Sequence, residues 1–327
     1  MTGNAGLGSH DPAGGSPLEG LELVEIDAPE FSIDLTLGCG QVFHWVREGR
    51  GWLGKIGERT VYAEQRGDKL LVLPGAAELA HRYFALDHPM DEIYATFPRD
   101  EAMQNALGFC RGLRLIRQPL WECVATFITS SMKQVAHIAQ ISHTIRQRFG
   151  KVSQWQGRLV YSYPTPARMA ELSEADLLAC SLGYRAKNLL NSARMIAAGE
   201  VSLENVQRLP DDEARAELCR LPGVGEKVAN CALLFAFERP GAFPIDVWIE
   251  RVLREIYFQG KRKVTGRRLR DFSASYFGPY SGYAQQYLFH YARATWPRGE
   301  RTRAKSGKGT GGKKVSSRGR VAKTKAA

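Results

Sequence analysis

The sequence predicts an α+β protein, a small antiparallel β-rich part followed by a larger α-helical part. Three observations predict it. From Leu21 to about Pro74, short runs such as "FSIDLTL", "QVFHWV", "GWLGKI", "RTVYAEQ" and "KLLVLP" are separated by "GCG", "REGRG", "GE" and "RGD". That is the pattern of strands and turns in an antiparallel sheet. From "AAELAHRYFAL" to Trp296, apolar residues recur at helical spacing, as in "DEARAELCRL", "EKVANCALLFAF" and "VWIERVLREIYF". At 327 residues and 44% hydrophobic content, the chain is long enough for two domains with a sizeable core.

In chain order, residues 1–20, "MTGNAGLGSHDPAGGSPLEG", are rich in Gly, Pro and Ser and are expected to be flexible. They contain neither a basic n-region nor an apolar h-region, and no apolar run approaches the roughly 20 residues of a membrane span. No membrane association is expected, and an intracellular site is: cytoplasm or nucleoid in a bacterium, nucleus in a eukaryote. Residues 21–100 form the expected β-rich domain and residues 101–296 the helical one. Cys39, Cys110, Cys123, Cys180, Cys219 and Cys231 are scattered without CxxC pairing, and the histidines form no HExxH. Buried free thiols are expected, with no disulfide framework, no metal and no cofactor.

The net charge of +11 is concentrated at the end of the chain, where residues 297–327 carry eleven Lys and Arg against Glu300 alone. Such a Gly/Ser/Lys/Arg segment cannot bury enough apolar surface to fold, so a disordered basic tail is expected. Nucleic acid is its simplest partner, held through phosphates and counterion release. A merely solubilising tail is the alternative.

The stretch "LPGVGEKVANC" joins one predicted helix to the next and puts Lys227 in the first turn of the second. Aligned peptide dipoles disfavour a cation there by a few tenths of a kcal/mol to about 1 kcal/mol. The same field favours the neutral, nucleophilic amine, so a locally unfavourable placement marks function. Gly223 and Gly225 allow φ > 0 and let another backbone approach closely. With the N–H groups of the turn and helix start, Val228 among them, they would form an anion site for a DNA phosphate. An ordinary αα-corner with glycine caps is the plain alternative. Further on, "FPIDVWIER" puts Asp246 immediately before an amphipathic helix, where a plain N-cap is its simplest role.

A hairpin lysine followed within about twenty residues by Gly, Pro and Asp resembles the helix-hairpin-helix/GPD superfamily of DNA repair glycosylases. The resemblance runs roughly from Phe31 to Ala292 through "LGCGQVFHW", "RLIRQPLWECVATFITSS", "LGYRAKNLLNSAR", "LPGVGEKVANC" and "GPYSGYAQQYLF". It narrows to the 8-oxoguanine DNA glycosylase/AP lyase family. The resemblance implies double-stranded DNA containing 8-oxoguanine as substrate, excision of the base and β-elimination at the abasic site. It makes Lys227 the amine that attacks C1′ and forms a Schiff base, and Asp246 the carboxylate that stabilises positive charge on the sugar. It also makes Gly40 the carbonyl that accepts the N7 hydrogen of 8-oxoguanine, Cys231 and Phe289 the pair sandwiching the purine, and Gln285 the amide reading its Watson–Crick edge. Read alone, these are a turn glycine, a buried thiol, a core phenylalanine and a surface glutamine.

Tyr184, the wedge residue, and Arg185 are retained from the family's DNA-contacting set. Met132 stands where the animal enzymes have an asparagine facing the orphaned cytosine, His137 where an arginine to that cytosine is expected, and Trp248 in place of a histidine near the DNA backbone. Weaker preference for cytosine opposite the lesion is the expected consequence, because a thioether wedges but offers no paired hydrogen bonds. A monomer is expected. Two rival readings are an alkylpurine glycosylase of the same superfamily, which lacks the hairpin lysine, and a non-catalytic DNA-binding module, which leaves the lysine and aspartate unexplained.

Overall fold

The run "FSIDLTL", residues 31–37, alternates like a strand but folds as a helix. In the computed structural model, which describes residues 21–130, 134–260 and 264–297, α1 spans Ile33–Gly38, with the Ser32 side chain accepting from the Leu35 N–H. That cap, with Asp34 in the first turn, outweighs the alternation, because a side-chain acceptor satisfies one of the orphan donors of a helix start. The strands are β1 (Val24–Asp27), β2 (Val46–Glu48), β3 (Gly51–Ile56), β4 (Arg59–Arg66) and β5 (Lys69–Val72), paired antiparallel in the order β1-β5-β4-β3-β2. Gly57 and Gly67, at φ +58° and +57°, open the two-residue turns β3–β4 and β4–β5, where left-handed backbone matches the twist of the flanking strands. The sheet buries Val61, Ala63, Leu70 and Val72 against Trp45, Phe84 and Ile116.

Helices follow: α2 (Ala77–Tyr83), α3 (Met90–Ala95), α4 (Glu101–Cys110), α5 (Leu120–Ser130) and α6 (Val135–Phe149). The helical pattern is then interrupted by a hairpin of β6 (Val152–Trp155) and β7 (Arg158–Tyr161), which helical spacing did not predict. Its strands are four residues each, too short to establish a period, and the hairpin is held from outside. Trp155 stacks on Tyr62 at 5.5 Å, and Ser153 Oγ accepts from Lys55 Nζ at 2.7 Å. Beyond it lie α7 (Pro166–Ala170), α8 (Glu174–Leu178), α9 (Arg185–Ala197), α10 (Leu203–Val206), α11 (Asp211–Leu218), α12 (Glu226–Phe235) and α13 (Val247–Val252). A π-helical turn at Leu253–Tyr257 continues α13, and α14 (Gly266–Tyr276) and α15 (Ser281–Thr295) complete the chain's described helices.

The helical core centres on α5 and α12. Every residue of α5 from Trp121 onward and of α12 from Val228 onward is buried, as in a helix surrounded on all sides. The rings of Phe127 and Phe235 stack across the pair at 5.5 Å. The described residues through Trp296 pack as one compact unit. Five of the six cysteines are buried free thiols, whereas Cys219, capping the solvent-facing end of α11, is exposed. No helix of the described residues is long and apolar enough to cross a membrane, and no cluster of metal-ligating side chains occurs among them. The N-terminal segment 1–20, the tail beyond Pro297 and Met132 lie outside the described residues.

Candidate active site

The hairpin turn is shaped by only one of its glycines. Gly223 sits at φ +83°, and a Cβ there would come within 2.9 Å of Asn188 Cβ and 3.2 Å of Ile128 Cγ2, so α9 and α5 both close on it. Gly225 does not take positive φ: at φ −99° and ψ −179° it is extended backbone open to any residue. Nothing lies within 4 Å of where its Cβ would be. Its small size matters only toward whatever approaches from outside. No side chain caps α12, so the first-turn N–H groups of Glu226, Lys227 and Val228 face outward, the arrangement that binds an anion. The Val228 side chain is buried, and the backbone is what it can offer. Ser192 Oγ donates to the Pro222 carbonyl at 2.9 Å, tying the turn to α9.

Lys227 leaves α12 over the face of Phe127, with Nζ 5.3 Å from the ring centroid. Phe127 is itself fixed edge-on by Phe43 and face-on by Phe235. One turn along lies the Cys231 thiol; burial pushes it up, and Lys227 opposes that. Asp246 does serve as the N-cap of α13, with Oδ1 accepting from the N–H groups of Trp248 at 3.0 Å and Ile249 at 2.8 Å. The cap fixes the carboxyl group and occupies Oδ1, leaving Oδ2 without a hydrogen bond among the described residues. Burial raises the carboxyl above the usual carboxylate range, while the Ile249 N–H, Lys227, the Trp248 N–H and Arg293 act to lower it. Lys227 and Asp246 are therefore within electrostatic reach of each other.

A second group of the expected site residues lies on α15 and in the loop after α1. Gln285 is 4% exposed, and its Oε1 is buried with no hydrogen-bond partner among the described residues. A buried orphan acceptor is costly and calls for a donor from a ligand or water. One turn on, Phe289 is half-buried. Residues 38–40 lie along this helix: Gln286 Nε2 donates to the Cys39 carbonyl at 3.5 Å and Arg293 Nη2 to the Gly38 carbonyl at 2.9 Å. Gly40 sits at φ +94°, which favours glycine, and the place a Cβ would take lies 2.7 Å from Arg293 Nη1. Behind it the buried Gln41 donates to the carbonyls of Thr36 (2.9 Å) and Arg114 (2.8 Å), accepts from the Ile116 N–H (3.0 Å), and has its own carbonyl bonded by Gln118 Nε2 (2.7 Å).

The remaining expected DNA contacts are distributed around the hairpin. Tyr184, 68% exposed, projects from the N-terminus of α9 after left-handed Ser181 and Gly183, and the Arg185 guanidinium lies 4.4 Å over its ring. His137 is half-buried in the first turn of α6. Trp248 is half-buried, with part of its ring packed against the helical core.

Residues 23–124 match the 8-oxoguanine DNA glycosylase N-terminal domain, and residues 125–274 match the HhH-GPD superfamily of base excision DNA repair proteins. A probable N-glycosylase/DNA lyase of Methanothermobacter thermautotrophicus is 30% identical over 230 residues, covering 64% of this chain and 72% of that protein. The chain belongs to the helix-hairpin-helix 8-oxoguanine DNA glycosylase family. The N-glycosylase/DNA lyase OGG1 of Arabidopsis thaliana is 29% identical over 280 residues, 80% of this chain and 77% of that one. Among solved structures, the Clostridium acetobutylicum 8-oxoguanine glycosylase/lyase, in complex with double-stranded DNA containing cytosine opposite 8-oxoguanine, superposes with a TM-score of 0.78 at 31% identity. The match covers 84% of this chain and 98% of that one.

Three residues of this glycosylase's site went unread in the sequence. Phe127 faces the Lys227 Nζ and Asn188 seats Gly223; both lie in stretches that carry the resemblance, which gave neither a role. Arg293 did carry a signal, since Gln285, Phe289 and Arg293 recur every four residues and so share one face of α15.

Proposed function

We propose that this chain excises 8-oxoguanine from duplex DNA through Lys227 and then nicks the abasic strand by β-elimination. The observation that carries this reading is Lys227, beside the buried Cys231 thiol and within reach of Asp246, on a helix whose uncapped N-terminus can hold a phosphate. A base stacked in duplex cannot be reached, so it is flipped into the pocket at a cost of a few kcal/mol. There the Gly40 carbonyl accepts the N7 hydrogen, Cys231 and Phe289 sandwich the ring, and the orphaned Gln285 Oε1 accepts from the N–H groups of the Watson–Crick edge. The Lys227 lone pair forms a bond to C1′ as the C1′–N9 pair departs with the base, and Asp246 offsets the positive charge on the sugar. Loss of a proton from the amine with ring opening gives a Schiff base, and removal of a C2′ proton expels the 3′-phosphate. Borohydride trapping on a duplex with one 8-oxoguanine opposite cytosine tests the reading. A covalent protein–DNA adduct supports it, and absence of both adduct and base release would refute it.

The division of labour we propose puts residues 21–100 in the β-rich domain and 101–296 in the catalytic one, acting as a monomer, with Gly223, Gly225, Val228, Met132, His137, Tyr184, Arg185 and Trp248 along the DNA path. Residues 298–327 tether the enzyme to phosphates. Deleting them is expected to weaken DNA binding and to flatten its log–log salt dependence by about 0.9 for each phosphate no longer neutralised, with single-turnover chemistry unchanged. An unchanged salt slope would remove the tether. With Met132 and His137 at the orphan-base positions, the preference for C over A, G and T opposite the lesion is expected to be weaker than the family pattern implies. A steep preference for C in a four-duplex rate comparison counts against that.

A further inference from the structure

Arg293 is the cation on the pocket face of α15, and neither base recognition nor sugar chemistry as proposed uses it. Its guanidinium is held in a fixed place. Nη2 donates to the Gly38 carbonyl at 2.9 Å and meets His290 Nδ1 at 3.3 Å, and the group lies 5.3 Å from the Phe289 ring centroid. Nη1 stands 2.7 Å from where a Gly40 Cβ would be and makes no hydrogen bond among the described residues. A fork with donors to spare therefore lies beside Gly40, whose carbonyl is proposed to read N7–H, and over the Phe289 ring. Burial lowers the arginine's affinity for its proton, opposed by Cys39 and Asp246, which places Asp246 within its field.

We propose that Arg293 donates a hydrogen bond to O8 of the flipped base. The inference rests on the 8-oxoguanine reading given above. Two carbonyl oxygens flank N7 in that base: O6, remote from the sugar, and O8, on the carbon bonded to N9. Gln285 is assigned the Watson–Crick edge, to which O6 belongs, and Arg293 lies about two turns further along the same face of α15, so the guanidinium falls at the opposite end of the base, at O8. Guanine has a C–H there. A donor aimed at O8 is left unpaired when guanine enters, and a site built around a hydrogen bond discriminates strongly against the analogue that lacks it. The contact also acts in the reaction. When C1′–N9 breaks, the bonding pair moves onto N9 and delocalises through C8 onto O8, where the guanidinium is already placed to receive it.

The test uses the full chain with Arg293→Met, which keeps an apolar stem over Phe289, and Arg293→Lys, which keeps a charge without the fork. Single-turnover excision of 8-oxoguanine opposite cytosine is expected to fall roughly 10- to 100-fold in Arg293→Met, the span of one charge-assisted hydrogen bond, and less in Arg293→Lys. In a Lys227→Gln background, the preference for binding an 8-oxoguanine duplex over a guanine duplex should narrow by a similar factor. Binding to a duplex with a tetrahydrofuran abasic analogue, which has no base, should not change. A merely structural arginine would move abasic-duplex binding and thermal stability along with the rate, and that result would overturn the proposal. So would a faster Arg293→Met enzyme, which would mean that the guanidinium obstructs the pocket, or an unchanged preference. If the wild type releases no 8-oxoguanine, the substrate reading fails and takes this inference with it. Wild-type excision with an indifferent Arg293→Met overturns this inference alone.

Discussion

Lys227→Gln is expected to lower single-turnover excision of 8-oxoguanine by at least about 10³-fold, because a carboxamide of similar reach has no lone pair to offer C1′. The borohydride adduct should vanish with it. The fold should survive: Lys227 is half-buried, and the substitution removes only the contact of its Nζ with the Phe127 ring. Binding to a tetrahydrofuran duplex should persist, since the phosphate grip uses backbone N–H groups that the substitution does not touch. Rapid-quench kinetics and trapping on the same duplex read both effects. A variant that still forms the adduct would place the nucleophile elsewhere.

Asp246→Asn is expected to cost about 100-fold or more in the same assay, the scale seen when one preorganised electrostatic group is removed from a transition state. The substitution separates charge from cap. Asparagine caps helices about as well as aspartate, so its Oδ1 can keep the bonds to the Trp248 and Ile249 N–H groups. Burial holds the Asp246 carboxyl above its ordinary range. The reaction needs the carboxylate, so the wild-type rate should fall as pH drops through that raised value, higher than an exposed aspartate would give. The Asn variant should lack this acid limb. The sign for stability runs the other way: a carboxyl raised by folding favours the fold while protonated and loses that contribution as pH rises through the folded value. At neutral pH the neutral amide should therefore leave the thermal midpoint unchanged or raised. A fall in stability with an intact acid limb would assign Asp246 to the cap alone.

Legibility differed by kind of feature. Lys227 and Asp246 could be read because each sits at a helix start, where local chain geometry fixes what a side chain can do. The α+β division could be read from periodicity, which reports the faces that elements bury. Local rules also misled where two of them competed. "FSIDLTL" fits a strand by alternation, but Ser32 capping makes it α1. Both hairpin glycines allow a left-handed turn, and of the two only Gly223 takes it.

By itself, the sequence determined the hairpin with its lysine, the aspartate that follows it, the order of sheet and helices, and the concentration of charge at the end of the chain. Only the tertiary structure decided that Gly40 lies against α15, with Arg293 reaching back 255 residues to the Gly38 carbonyl and Gln286 reaching back 247 to that of Cys39. It also decided that Gln285 keeps a buried acceptor unpaired and that the Arg293 guanidinium lies beside Gly40. The physical reason is that hydrophobic patterning says which face of an element leaves water but not what it meets, since burial is non-directional. A pocket made of such meetings exists only once the core has closed.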